Sequence, residues 1–217
     1  TVLFRLSEDW HRWYLRIHHI AIDGYGTALL VRRVRDLYRA AVTGTAPETP
    51  PFAPLADVID DEATYLTSPK VAADRQFWLD QFADRPEPAS LAPRADLTTH
   101  TYLTHSAHLT ADTNAAVTDL ARRSGVVWPD LLVALTAAYI ERHTGGGEAI
   151  VGVATMERLG RPAARVPAMV MNILPARVAI DDHADLTAWL STTARHLQRL
   201  RRHGRYRGEQ LRRDLGL

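Results

Sequence analysis

The residues of this 217-residue chain best suited to chemistry are His18-His19-Ile20-Ala21-Ile22-Asp23-Gly24: two adjacent imidazoles, three small or aliphatic residues, a carboxylate and a glycine. Four specified residues at this spacing arise by chance on the order of once in several hundred chains of such composition, so the match is informative in context. An imidazole takes or gives a proton near neutral pH and is the commonest general acid or base. If the strand before the motif runs through it, neighbouring side chains point to opposite faces, so His18 and His19 cannot both reach one substrate atom or one metal ion. One acts and the other supports. His19 continues the apolar row Trp13, Leu15, Ile17, where desolvation favours a neutral ring able to accept a proton, so His19 is the choice for the active group. Asp23, where the chain leaves the strand, is expected to be partly buried, and a buried carboxylate needs a cation or several donors. An arginine partner is expected. Gly24 lets the backbone turn sharply and pass close to a ligand.

The elements that must position these groups follow from periodicity. A strand-like run at 2–6 precedes an alternating segment from Trp13 to His19, and apolar residues Leu30, Val31, Val34, Leu37, Tyr38 and Ala41 recur at three and four, giving a helix over about 26–41 closed by Gly44. GTAPETPPFAP at 44–54 holds four prolines and makes a stiff loop. A helix follows near 55–66, and Ser68 with Pro69 caps another that runs to about Phe82, with Val71, Phe77, Trp78 and Phe82 on its apolar side. The proline-containing stretch 85–98 is the linker, so the expected organisation is a first lobe over 1–85, a linker over 86–98 and a second lobe over 99–217. Beyond the linker the order reads strand (101–109), helix (111–124), helix (129–143), strand (149–154), strand (168–179) and a long helix (184–202). Asp130 opens the second of these helices and Gly145-Gly146-Gly147 end it. Interleaved strands and helices argue an α/β or α+β fold with a mixed sheet.

Composition narrows the function classes. With 26 Lys and Arg against 25 Asp and Glu, the net charge of +1 gives no global field to gather nucleic acid or a membrane surface. No cysteine is present, which removes disulfides, thiolate nucleophiles and cysteine-ligated zinc, and fits a reducing cytoplasm. No stretch approaches the ~20 apolar residues needed to span a bilayer, so a soluble cytoplasmic protein is expected. The start at Thr1, entering a strand at once, reads as a piece of a longer protein.

HHIAIDG resembles the HHxxxDG motif of condensation domains of nonribosomal peptide synthetases, within the chloramphenicol acetyltransferase-like superfamily. Other segments agree in order: FWLDQ at 77–81, WPDLLVALTAAYIERHTGGGEAIVGVATMERLGR at 128–161, VMNILPAR at 170–177, resembling a "VNTLPLR" strand, and YRGEQL at 206–211. The similarity spans nearly the whole chain, which resembles a central slice of a domain about twice as long. It implies two lobes meeting at a cleft, with a tunnel through which 4'-phosphopantetheine arms of donor and acceptor peptidyl carrier proteins reach the motif. The implied partners are those carrier proteins and an adenylation domain in the same chain, without nucleic acid or membrane. No cofactor is bound directly and no metal is required.

The implied reaction is attack by the α-amine of an acceptor aminoacyl thioester on the carbonyl of a donor acyl or peptidyl thioester. A free α-amine titrates near about 7.7–8.0 and an ordinary imidazole near about 6.5, a reasonable match for accepting the released proton. In that reading His19 is the base, His18 shapes the strand end, Asp23 organises the loop, and Gly24 gives room for the arm. The resemblance places the arginine partner of the aspartate early in the first lobe, outside this sequence; Arg177 is the in-chain alternative, and Asp23 is otherwise expected to be poorly satisfied. Asn172 and Arg177 are substrate-channel candidates, although a strand asparagine bonded to neighbouring backbone is the more ordinary role. Glu157, Arg158 and Arg161 read as a solvent-facing loop.

Rival readings share parts of this pattern. Epimerisation domains carry the same motif, as do stand-alone acyltransferases of the same fold, but the surroundings of the epimerisation glutamate are not found. Heterocyclisation domains replace the histidines by aspartates. A reading of another class takes the eight arginines at 195, 199, 201, 202, 205, 207, 212 and 213 as a basic interaction module. Only Tyr206 could stack on a base there, so a solvated helix face is preferred, with carrier docking as a secondary role.

Overall fold

Helix-stop and helix-start chemistry settles most element boundaries. The computed structural model describes residues 1–48, 50–87, 89–91 and 103–216. Two antiparallel strands, β1 (Val2–Arg5) and β2 (His11–Tyr14), pair with Val2 opposite Tyr14 and Arg5 opposite His11. They are followed by α1 (Gly24–Thr43), α2 (Leu55–Leu66) and α3 (Pro69–Gln81). Next come α4 (Ala111–Ser124), α5 (Trp128–Thr144), β3 (Glu148–Thr155), a short 3-10 turn (Pro162–Arg165), β4 (Asn172–Ala179), α6 (Leu186–Arg202) and α7 (Gly208–Leu215). β3 and β4 form a second two-stranded sheet, so helix and strand mix as the pattern predicts.

Each long helix ends where its sequence provides a stop. Gly44 takes the left-handed conformation (φ 71°) and its N–H reaches Ala40 O, as expected of a glycine that closes α1. After α5 three successive glycines at 145–147 all have positive φ, between 72° and 105°, a run that side chains with a Cβ would resist. Ser68 departs from its expected capping role: its hydroxyl donates back to Tyr65 O at 2.7 Å.

By contact the chain divides into two compact units that interleave in sequence: Thr1–Val71 with Met156–Asn172, and Ala72–Thr155 with Ile173–Leu217. This is a partition by packing, distinct from the lobe division expected above, and most of the expected linker lies outside the described residues. The core of the first unit gathers Ala163, Val166, Ala168 and Val170, with Ala53 and Val58 against them. The second is built where α4, α5 and α6 meet, around Ala121, Val126, Leu131, Ala134, Leu190 and Ala194. On the same unit Trp78 of α3 is fully buried and its indole N–H donates to His203 O at 2.9 Å, while His203 stacks on Phe77 and Asp74 bonds its Nδ1 at 2.8 Å.

Three expected strands are corrected. β2 stops at Tyr14, so residues 15–18 are irregular and 19–21 form a turn; the segment is exposed on both sides, and alternation had no second layer to bury against. Residues 103–109 form no strand, and 101–102 lie outside the described residues. β4 begins at Asn172 and not at 168, because backbone donors of Val170 and Met171 are taken by a side chain described below.

Candidate active site

The motif aspartate caps α1. Asp23 has extended backbone, and its Oδ1 accepts from Gly26 N–H at 2.8 Å, satisfying a donor that a helix start leaves open. Its carbonyl meanwhile accepts from the Thr27 N–H and hydroxyl, both at 2.9 Å. The carboxylate is only 2% exposed and saturated with donors. Arg158 Nη2 reaches Oδ1 at 2.9 Å and Oδ2 at 2.8 Å, and Oδ2 also accepts the backbone N–H groups of Val170 (2.9 Å) and Met171 (3.0 Å). Desolvation alone pushes this carboxyl up, but the bonds from Gly26, Arg158, Val170 and Met171 together outweigh it and hold the group below the usual carboxylate range.

Arg158 is equally enclosed, at 1% exposure. Nη1 donates to the carbonyls of Ala163 and Val166, the latter at 2.8 Å, and Nη2 also reaches Ala168 O at 2.6 Å. The guanidinium lies 4.9 Å from the centre of the Tyr25 ring. The residue before it, Glu157, adopts left-handed backbone (φ 48°), a conformation costing about 1–2 kcal/mol for a residue with a Cβ. Thus one cation gathers the 163–168 turn and the start of α1 around a single carboxylate.

These contacts correct three expectations. Asp23 is fully satisfied within this chain, its partner is Arg158 and not Arg177, and the charged side chains of the loop 157–161 do not face solvent although Leu159 and Gly160 do: Arg161 binds Asp61 through Nε at 2.8 Å and Glu157 O at 2.7 Å. Arg177 is committed elsewhere. It forms a fork on Asp84, with both contacts at 2.7 Å, and donates Nε to Glu148 at 2.7 Å. Those carboxylates raise its affinity for the proton further, Asp84 first and Glu148 second. Along β4, Asn172, Leu174, Ala176 and Val178 are buried while Arg177 belongs to the alternate face. Asn172 and Arg177 therefore project to opposite sides of one strand.

The histidine end of the motif is built differently. The chain turns at 18–22 through Ala21 N–H to His18 O (3.0 Å) and Ile22 N–H to His19 O (3.4 Å). His18 folds its ring onto this turn, its Nδ1 accepting from Ile20 N–H at 3.1 Å, which requires a lone pair on Nδ1. His19 is exposed, and its ring has no hydrogen-bond partner among the described residues. The desolvation expected for His19 is therefore not supplied by this chain. The two rings are held differently, His18 bonded to the backbone and His19 without a partner among the described residues, and the turn, not strand alternation, separates them.

Glycine has moved in importance. At Gly24 a Cβ would meet open space, so no neighbour among the described residues demands a glycine there. The tight position is Gly26, where a Cβ would sit 2.8 Å from Ile22 Cγ1 and 3.0 Å from Ala168 O. Sequence reasoning missed Gly26, Arg158 and the N–H groups of Val170 and Met171. The repeated glycine of GYG was a usable signal for the first. Nothing local marked Arg158, whose partner lies 135 residues away. Among the described residues no group of three or more histidine or carboxylate side chains could hold a metal ion, and no helix is long and apolar enough to cross a membrane.

Comparison with known proteins shows the family of the chain. The family model described as "Condensation domain" matches residues 1–217. The chain is 39% identical over 215 residues to a dimodular nonribosomal peptide synthase of Bacillus subtilis and 40% identical over 215 residues to an isonitrile lipopeptide synthase of Streptomyces coeruleorubidus. Each match covers 99% of this chain but only 9% and 15% of those proteins. In solved structures it is similar to the first condensation domain of the CDA synthetase (TM-score 0.87, 33% identity, 99% of this chain and 48% of that one). It is also similar to VibH, a nonribosomal peptide synthetase condensation enzyme (TM-score 0.79, 33% identity, 92% of this chain and 47% of that one). The chain thus spans about half of the solved domains it matches, and its mixed helix-and-strand fold is theirs. With the motif, the later segments and the fold all in agreement, this chain belongs to the condensation-domain family of nonribosomal peptide synthetases.

Proposed function

We propose that this chain is the motif-bearing part of a condensation domain that forms an amide between two thioesters carried on 4'-phosphopantetheine arms. The observation that carries this reading is the pairing of a rigid anchor with a free base. The Asp23 and Arg158 side chains fix the turn through six contacts to the backbone and one ion pair between themselves, and four residues before Asp23 the ring of His19 is exposed without a partner among the described residues. Such an anchor holds a general base in place without engaging it.

The acceptor α-amine nitrogen attacks the donor thioester carbonyl carbon, and a C–N bond forms as the carbonyl π pair moves to oxygen. His19 takes the proton released from nitrogen. Collapse of the tetrahedral intermediate breaks the C–S bond, and the departing thiolate takes up the proton that His19 gives back, leaving the free thiol of the donor arm and a neutral imidazole. His18, with Nδ1 engaged by the backbone, keeps the turn in shape, and the open space at Gly24 admits an arm. The partners in this reading are the donor and acceptor carrier proteins and an adenylation domain, with lobes over 1–85 and 99–217. Asn172, buried at the head of β4, supports the strand, and Arg177 braces Asp84 and Glu148.

The test is single-turnover amide formation between two loaded carrier proteins in the intact synthetase. His19→Ala is expected to slow it about 10²- to 10⁴-fold, the range typical of a lost general base. Wild-type rate in that variant would overturn the reading.

A further inference from the structure

Tyr25 follows the motif glycine as the second residue of α1. Helix side chains tilt toward the helix N-terminus, so its ring leans back over the capped end, where the Arg158 guanidinium lies 4.9 Å from the ring centre. Its hydroxyl donates to Ala164 O at 3.4 Å, in the same short turn whose Ala163 carbonyl receives Arg158 Nη1. Tyr25 is half-buried, whereas Arg158 is sealed from solvent. One ring thus touches both the cation of the anchor and the turn which that cation gathers.

The edge of the guanidinium is crowded, and its face is left to the ring. Nη1 meets the carbonyls of Ala163 and Val166, and Nη2 meets both Asp23 oxygens and Ala168 O. Nε is buried and has no hydrogen-bond partner among the described residues. The carboxylate opposite is itself shared with the N–H groups of Gly26, Val170 and Met171, so the cation commands only part of its charge. A planar cation in that state is stabilised by the negative face of an aromatic ring, which needs no lone pair and leaves every in-plane bond in place. An aliphatic side chain of similar size would fill the space and supply none of this attraction.

What the guanidinium holds leads back to the imidazole. Arg158 Nη2 and the Asp23 N–H share Ala168 O, at 2.6 Å and 3.3 Å. One residue before Asp23, Ile22 packs beside Gly26 and gives its N–H to His19 O at 3.4 Å. A guanidinium free to tilt loosens this run of contacts at its root, and a displacement of about 1 Å in a reacting group can cost about a hundredfold in rate.

We infer that Tyr25 is a positioning residue for His19, acting through Arg158 by the face of its ring; this rests on the amide-forming reading of the preceding section. The test is turnover of the intact synthetase with loaded carrier proteins, counted per folded molecule, for Tyr25→Leu and Tyr25→Phe, each alone and combined with His19→Ala. Tyr25→Leu is expected to lower kcat about ten- to a hundredfold with KM within about twofold, while Tyr25→Phe, which keeps the ring and loses the contact with Ala164, should stay within about twofold of wild type. In the His19→Ala background the change to leucine should alter the residual rate by less than about twofold, because a positioning effect vanishes with the group it positions, whereas a general loss of structure multiplies through. If the leucine variant does not fold, Tyr25→pentafluorophenylalanine, which keeps the shape and reverses the charge of the ring face, takes its place with the same direction expected. A wild-type rate in the variant without the ring face, an equal loss in Tyr25→Phe, or equal factors with and without the His19 imidazole would overturn the positioning role and leave the amide-forming reading intact. No amide from wild type, or a wild-type rate in His19→Ala, would overturn that reading and the positioning role with it.

Discussion

Asp23 and His19 stand four residues apart in one motif, and the fold treats them in opposite ways. The aspartate receives a guanidinium and three backbone N–H groups in a site sealed from solvent. The histidine ring is exposed and unpartnered among the described residues. In the function proposed above, structural duty and chemical duty are thereby separated: the group that holds the chain together is saturated, and the group proposed to exchange a proton is left free. His18 lies between the extremes, with one hydrogen bond to its own turn.

The sharpest way to break this contrast is to remove the cation from the anchor. Arg158→Met leaves a buried carboxylate unpaired, and breaking a buried pair from one side costs about 3–5 kcal/mol. Urea unfolding of the intact condensation domain should show that loss, or the protein should fail to fold. Arg158→Lys should recover little, since one ammonium cannot reach the carbonyls of Ala163, Val166 and Ala168 together with both carboxylate oxygens. His19→Ala, by contrast, should stay within about 0.5 kcal/mol of wild type in the same measurement while losing turnover. A large stability loss in that variant would erase the distinction.

The two glycines sharpen the same contrast at smaller scale. Gly26→Ala forces a methyl against Ile22 and the Ala168 backbone and should cost about 1–3 kcal/mol, whereas Gly24→Ala fills open space at a helix start and should be neutral or slightly stabilising. Thermal unfolding of the pair tests both at once, and equal shifts would contradict the packing described.

Acid should weaken the anchor. The Asp23 carboxyl is depressed in the folded protein, so its contribution is complete above the ordinary value of 3.8 and is lost as pH falls below it toward the lower folded value. Stability measured by denaturant titration below about pH 4 should therefore fall steeply. Asp23→Asn should be less stable at neutral pH but show a shallower acid slope. Some slope remains, because Asp84, Asp119, Asp185 and Asp214 are also depressed by their partners. A modest effect is expected at His18→Ala, about 0.5–1 kcal/mol for one exposed hydrogen bond, read by the same titration at neutral pH.

Much of this was legible locally. Helices α1 to α6 follow from three-and-four spacing, from Gly44 and from the glycine run at 145–147, because helix formation and termination depend on residues within a turn or two. The expected strand through His19 failed for the converse reason: alternation describes a surface that packs on something, and residues 16–21 are exposed among the described residues. The reading of Arg158 as solvent-facing failed because charge in a loop is usually solvated, and only a distant carboxylate reverses that.

By itself the sequence determined the chemical inventory: a histidine pair, an aspartate bound to need a cation, and a chain without thiols. Only the tertiary structure decided which arginine answers Asp23, which glycine is indispensable and which imidazole is free. Pairing of buried charge is a matter of distance in space, and residues 23, 158 and 170 become neighbours only once the 163–171 segment is drawn against the start of α1.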